Sequence, residues 1–70
     1  MTMKTYDIYF SDEVSTDHKG FALKTEEKAI NMAEDMLAKR KGFVKDYAGG
    51  MISVRDNDGN IVWSKPIDED

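Results

Sequence analysis

Residues 51–65 read Met-Ile-Ser-Val-Arg-Asp-Asn-Asp-Gly-Asn-Ile-Val-Trp-Ser-Lys: two β-favouring runs, Met51 to Asp56 and Asn60 to Lys65, separated by Asn57, Asp58 and Gly59. Asp-Gly is a strong turn signal, and a three-residue loop with glycine in the left-handed position makes the pair a hairpin with a bulge at its turn. In this register Asp56 pairs with Asn60, Val54 with Val62 and Ser53 with Trp63. Side chains alternate across a strand, so Ile52, Val54 and Val62 share one face while Ser53, Arg55, Ile61 and Trp63 share the other. Pro66 closes the last strand because it has no N–H for a ladder. The turn also invites comparison with a calcium loop, but alignment on Gly59 puts Val54 at the first ligand position and Lys65 where a bidentate Glu is needed.

Upstream of the hairpin, Thr25 offers an N-cap, and Glu26 and Glu27 bring negative charge to a first helical turn. Ala29, Ile30, Ala33, Met36 and Leu37 then recur at helical spacing, with Met32 on the shoulder and Asn31, Glu34, Asp35 and Ala38 opposite. Asp35 and Lys39 form an acid-then-base pair one turn apart, Lys39, Arg40 and Lys41 complement the C-terminal dipole, and Gly42 suits a left-handed stop. The spacing predicts a helix over 26–41, followed by a hydrophobic clasp of Phe43, Val44 and Tyr47. Gly49 and Gly50 permit an unusual backbone before the hairpin.

In the N-terminal third, residues 5–11 (Thr-Tyr-Asp-Ile-Tyr-Phe-Ser) predict a strand with Tyr6, Ile8 and Phe10 on one face and Asp7 and Tyr9 on the other. The polar stretch 12–19 reads as a loop, and residues 20–24 as a second strand with Phe21 and Leu23 inward and Ala22 and Lys24 outward. The order is strand, strand, helix, strand, strand. The fold class is therefore α+β: two layers, a four-stranded mainly antiparallel sheet with one helix packed on one face, ββαββ. A right-handed crossover from the second strand to the third gives the spatial order 2-1-3-4. One helix covers only one sheet face, and the apolar one is Tyr6, Ile8, Phe10, Phe21, Leu23, Ile52, Val54 and Val62.

Seventy residues allow one core, so residues 1–70 are read as a single domain ending in the acidic tail Asp68, Glu69 and Asp70. With no cysteine and His18 as the sole histidine, neither disulfides nor a zinc cluster reinforces so small a core, which leaves self-association as the remaining device. No apolar run exceeds the length of Ile61 to Trp63, too short for a membrane span or a signal peptide, and with the lack of cysteine this gives the expectation of a cytoplasmic protein. Ten basic against fourteen acidic residues, net −4, argues against nucleic acid, as does the lack of a basic stripe or an RNA-binding signature. No nucleophile, base and orienting group stand together, and the glycines lack phosphate-loop spacing. No catalytic residue, cofactor, metal or small-molecule ligand is predicted, and the chain is read as a non-enzyme.

The pattern Tyr6-x-Ile8-Tyr9-Phe10, Gly20-Phe21, Thr25-Glu26-Glu27-Lys28-Ala29-Ile30 and Tyr47-x-Gly49-Gly50-x-Ile52-Ser53-Val54-x-Asp56-x-x-Gly59-Asn60-Ile61-Val62-Trp63 resembles small uncharacterised bacterial and phage proteins. Some phage anti-CRISPR proteins share the strand-strand-helix-strand-strand organisation. The resemblance spans most of the chain and implies a phage or mobile-element accessory protein that acts by direct protein binding. It carries no residue-level inhibitory motif.

The uncovered sheet face is the candidate site. It is expected to carry Asp7, Tyr9, Ala22, Lys24, Ser53, Arg55, Ile61 and Trp63, of which Tyr9, Arg55, Ile61 and Trp63 are the types that anchor protein interfaces. The competing reading makes Trp63 a core residue, since a hairpin loop of another length slips the pairing and turns the ring inward. The expected function is a small protein-binding module, possibly a homodimer through this face, with an exposed strand edge as a second route. The alternative is a phage-type inhibitor that presents acidic surface residues, Asp7, Asp56 and Asp58 among them, to a host defence or nucleic-acid-binding protein.

Overall fold

A computed structural model describes residues 4–40 and 42–69. Its elements are β1 (Tyr6–Ser11), β2 (Thr16–His18), α1 (Glu26–Lys39), α2 (Phe43–Asp46), β3 (Met51–Asp56) and β4 (Ile61–Pro66). The strands form one antiparallel sheet in the order β2-β1-β3-β4, as the crossover argument predicts. The two central strands pair over their full length, from Tyr6↔Asp56 to Ser11↔Met51. This register stacks Ile8 against Val54 and Phe10 against Ile52, all fully buried, under Ala29 and Ala33 of α1. Tyr6, Phe21, Leu23 and Val62 pack at the margin of the same cluster, so the predicted apolar face is the observed one.

Helix α1 begins where the sequence places it: the Thr25 hydroxyl accepts the Lys28 N–H at 3.1 Å. Its end differs. Arg40, not Gly42, takes the left-handed C-cap conformation at φ 50, and its N–H turns back to the Leu37 carbonyl. Lys41, the predicted last residue, lies outside the described residues, as does Asp70 of the tail. Gly42 instead opens the one-turn helix α2, with φ 55 and ψ −127. That helix is the clasp in another form: Val44 is fully buried, and the rings of Phe43 and Tyr47 pack on Phe10 with centroids 5.5 and 6.2 Å away.

The second strand is not where it was expected. The Asp12 carboxylate accepts the Val14 and Ser15 N–H groups, tightening a turn that sends Thr16, Asp17 and His18 back along β1, opposite Ser11, Phe10 and Tyr9. Residues 20–24 form no strand. Gly20 adopts φ 79, and the Asp7 carboxylate takes the Gly20 and Phe21 N–H groups that a ladder would need. Only Leu23 returns, as an isolated bridge to Tyr6. Phe21 and Leu23 still point inward, so the hydrophobic pattern was satisfied by a bent segment rather than a strand.

Past Pro66 the chain adds one more rung. The Ile67 N–H donates to the Gly50 carbonyl at 2.8 Å, and the Gly49 N–H to the Ile67 carbonyl at 2.9 Å. Ile67 is thereby driven into the core at 2 % exposure, a position the acidic sequence around it disguises. Gly50 is required there, because a methyl group on its Cα would collide with the Ser11 carbonyl oxygen. Gly50→Ala is expected to destabilise the fold by about 1–3 kcal/mol through overpacking. Gly20→Ala meets no neighbouring atom and carries backbone strain alone. Thermal denaturation of the two variants should rank Gly50→Ala the more damaging.

Candidate binding face

Hairpin β3–β4 decides which side chains reach the open face. Val54 lies opposite Trp63 and Arg55 opposite Ile61, so the register shifts between Val54 and Arg55 and Val62 is the extra residue of a bulge within the strands. The sequence had put the only irregularity at the turn. At the turn itself the Asp56 N–H donates to the Asn60 carbonyl and the Gly59 N–H to the Asp56 carbonyl. Beyond the bulge every side chain of β4 is one position out of the predicted register. Trp63 therefore lies on the helix side with Val54, packed half-buried against the core. Lys65, two residues on, reaches Glu34 of α1 at 3.5 Å and lies 5.7 Å from the Trp63 ring. The assignment of Trp63 to the open face is corrected: the ring lies on the helix side, partly buried at the margin of the core.

Tyr9, Arg55 and Ile61, the other three candidates, do share the open face. Its rows run His18, Tyr9, Ser53, Ser64 and, beside them, Asp7, Arg55, Ile61. Tyr9 is sandwiched into this array by its neighbours: the His18 ring stacks on it with centroids 5.3 Å apart and an interplanar angle of 29°, and the Arg55 guanidinium carbon lies 4.6 Å from its centroid. Ile61 is 57 % exposed and Met51, further along the same face of β3, is 45 % exposed. Ala22 and Lys24 were expected on this face as strand residues, and with that strand absent they lie on the exposed bent segment that follows β2. His18 falls in the stretch 12–19 that the sequence assigns to a loop, although Thr16 and His18 alternate with Asp17 as the two faces of a strand should. Asp17 points to the helix side, where its carboxylate accepts the Tyr47 hydroxyl.

Asp7 is not a surface charge. One oxygen accepts from the Phe21 and Ile8 N–H groups at 3.0 and 2.8 Å, and the other meets Gly20 N–H at 2.9 Å and His18 Nδ1 at 3.0 Å. Asp56 is likewise internal at 5 % exposure. The Asn60 N–H foremost, then the Asp58 N–H, the Asn60 amide and Lys4, hold its carboxyl below the ordinary value of 3.8 against the opposing effect of burial. Asp12 is held low by the Ser15 and Val14 N–H groups. The Tyr47 phenol is pushed up, first by its hydrogen bond to the Asp17 carboxylate. Asp7 and Asp56, two of the acids counted as surface charge in the sequence, thus organise turns, as does Asp12.

His18 and Asp7 resemble an oriented base, yet no hydroxyl is hydrogen-bonded to the other imidazole nitrogen among the described residues. Among those residues no three His, Cys, Asp or Glu side chains converge to hold a metal ion, and no helix is long and apolar enough to cross a membrane. Comparison of the chain with protein-family models, with curated proteins and with solved structures finds no match.

Trp63→Ala is expected to cost about 1–3 kcal/mol in denaturant unfolding, short of the roughly 3–5 kcal/mol of a fully buried ring. Ile61→Glu should stay within about 0.5 kcal/mol of the parent, as surface changes usually do; the opposite ranking would restore the predicted register. A second expectation concerns pH. Because Asp56 and Asp12 titrate lower folded than unfolded, their stabilisation is complete above 3.8 and is lost as pH falls through the lowered folded values. Asp56→Asn should therefore be less stable than the parent at neutral pH and lose less on acidification, which melts across an acid series would read directly.

Proposed function

We propose that this protein is a small non-enzymatic binding module that engages a protein partner, or a second copy of itself, through the open sheet face at Tyr9, Arg55 and Ile61. The observation that carries the reading is the Arg55–Tyr9–His18 stack beside exposed Ile61 and Met51, on the side of the sheet opposite both helices. A pre-stacked aromatic and arginine lose little side-chain entropy on binding, which is why such residues dominate interface energetics. The strand edges are poorer routes. Edge β4 carries a bulge, Lys65 and Pro66, three devices that deter strand addition, and edge β2 is only three residues long. The cysteine-free composition suits a reducing cytoplasm. The phage-type acidic inhibitor is less well supported, since the carboxylates of Asp7 and Asp56 are occupied by internal hydrogen bonds and only Asp58 of the three is exposed.

The test begins with sedimentation across a concentration series, followed by affinity capture, each with parent, Tyr9→Ala, Ile61→Glu and the control Glu27→Ala on exposed α1. Either self-association or capture of a defined partner should weaken about 30-fold or more on loss of a central anchor, roughly 2 kcal/mol. The control should match the parent. Association that survives both face variants, with their folds intact by circular dichroism, would sink the proposal.

A further inference from the structure

Arg55 sits in the centre of the open face, yet its charge has no counterpart there. Its in-register neighbour is Asp7, whose two oxygens are already taken by three backbone N–H groups and His18. The other carboxylate nearby, Asp56, is taken by Asn60, Asp58 and Lys4. No acid among the described residues lies within ion-pair distance of Arg55, and its Nε is a buried polar atom with no hydrogen-bond partner in the protein. What holds the side chain is the Tyr9 ring beneath it. The Nε is sealed beneath the group, but the terminal nitrogens of the guanidinium are not buried; supported by the Tyr9 ring and with no acid among the described residues paired to them, they are the donors that an acceptor from outside can reach.

The surroundings define that acceptor. Arg55 borders a shallow depression of about 200 Å³ whose other walls include Tyr9, Phe21, Asn57, Asp7 and Asp56. The partly exposed Asp7 carboxylate at the wall makes the depression more hostile to a dianion than to a monoanion whose charge one guanidinium can match, so phosphate is disfavoured. A single negative charge on a flat, planar group matches one guanidinium stacked on one aromatic ring. We propose that this depression is a carboxylate-binding subsite, taking an acidic side chain of a protein partner against Arg55 and the Tyr9 ring. The proposal rests on the open-face reading and names the chemistry of the partner at its centre.

The probe is benzoate, with benzamide as its uncharged isostere and inorganic phosphate as the competing anion, followed through the Arg55 Nε–H and Tyr9 ring resonances by NMR. Benzoate is expected to shift both saturably at millimolar concentrations, benzamide to leave the Arg55 signal in place, and phosphate to bind at least several-fold more weakly. In Arg55→Gln the Tyr9 shift with benzoate should vanish while the rest of the spectrum is retained. Equal response to benzoate and benzamide, tighter binding of phosphate, or a Tyr9 shift that persists in Arg55→Gln would each overturn the assignment. These results are independent of the face variants: partner binding lost in Ile61→Glu but unchanged in Arg55→Gln would refute the subsite and leave the open-face reading standing.

Discussion

Pairing of β1 with β3 along six residues is the constraint from which both sides of the molecule follow. One register puts Ile8, Phe10, Ile52 and Val54 together under α1, where burial of their side chains supplies most of the drive to fold. Because strand side chains alternate, the same register must place Asp7 and Tyr9 beside Arg55 and Ser53 on the other side. Core and candidate interface are two faces of one decision. A slip of one residue would exchange them, exposing the isoleucines and burying a charged row, so the cost of the wrong face is what holds the open face in place.

Carboxylates then shape what the sheet leaves irregular. Asp12 tightens the β1–β2 turn, Asp7 bends the chain after β2, and Asp56 closes the β3–β4 turn, each by accepting backbone N–H groups. A small domain without cysteines has few other ways to fix loops, and this one uses short-range hydrogen bonds to charged acceptors, which are stronger than neutral ones. Part of the acidic surplus is therefore structural, and its arithmetic says less about partners than net charge suggests. Arg55 is the converse case: a charge at the middle of the open face that rests on the Tyr9 ring and pairs with no acid among the described residues.

The face itself is modest in apolar area, with Ile61 and Met51 exposed beside the Tyr9 stack. Its distinction lies in order. His18, Tyr9 and Arg55 are held against one another by strand pairing, so their side chains are positioned before any partner arrives. With a bulge, Lys65 and Pro66 on edge β4 and only three residues in edge β2, this ordered array is the surface on which the proposed function rests.

Much was legible from residues 1–70 alone. Alternation of apolar residues in 5–11 and 51–56, the helical spacing from Ala29 to Leu37, the Thr25 cap and the glycine turn at 57–59 are local signals, and local sterics and burial suffice to convert them into the ββαββ order and the core face. Tyr9, Arg55 and Ile61 were placed correctly for the same reason. What the chain did not reveal is decided by contacts between distant residues. The second strand moved to Thr16–His18 because the Asp7 carboxylate captures the N–H groups of Gly20 and Phe21, thirteen and fourteen residues away. Ile67 became core only when Gly49 and Gly50 supplied its hydrogen bonds. Trp63 turned inward because the bulge lies at Val62, not only at the turn. A bulge adds one residue without altering the alternation of the segments on either side, so its position is invisible to pattern and emerges only in the pairing of Val54 with Trp63, which sets that ring partly buried against the core.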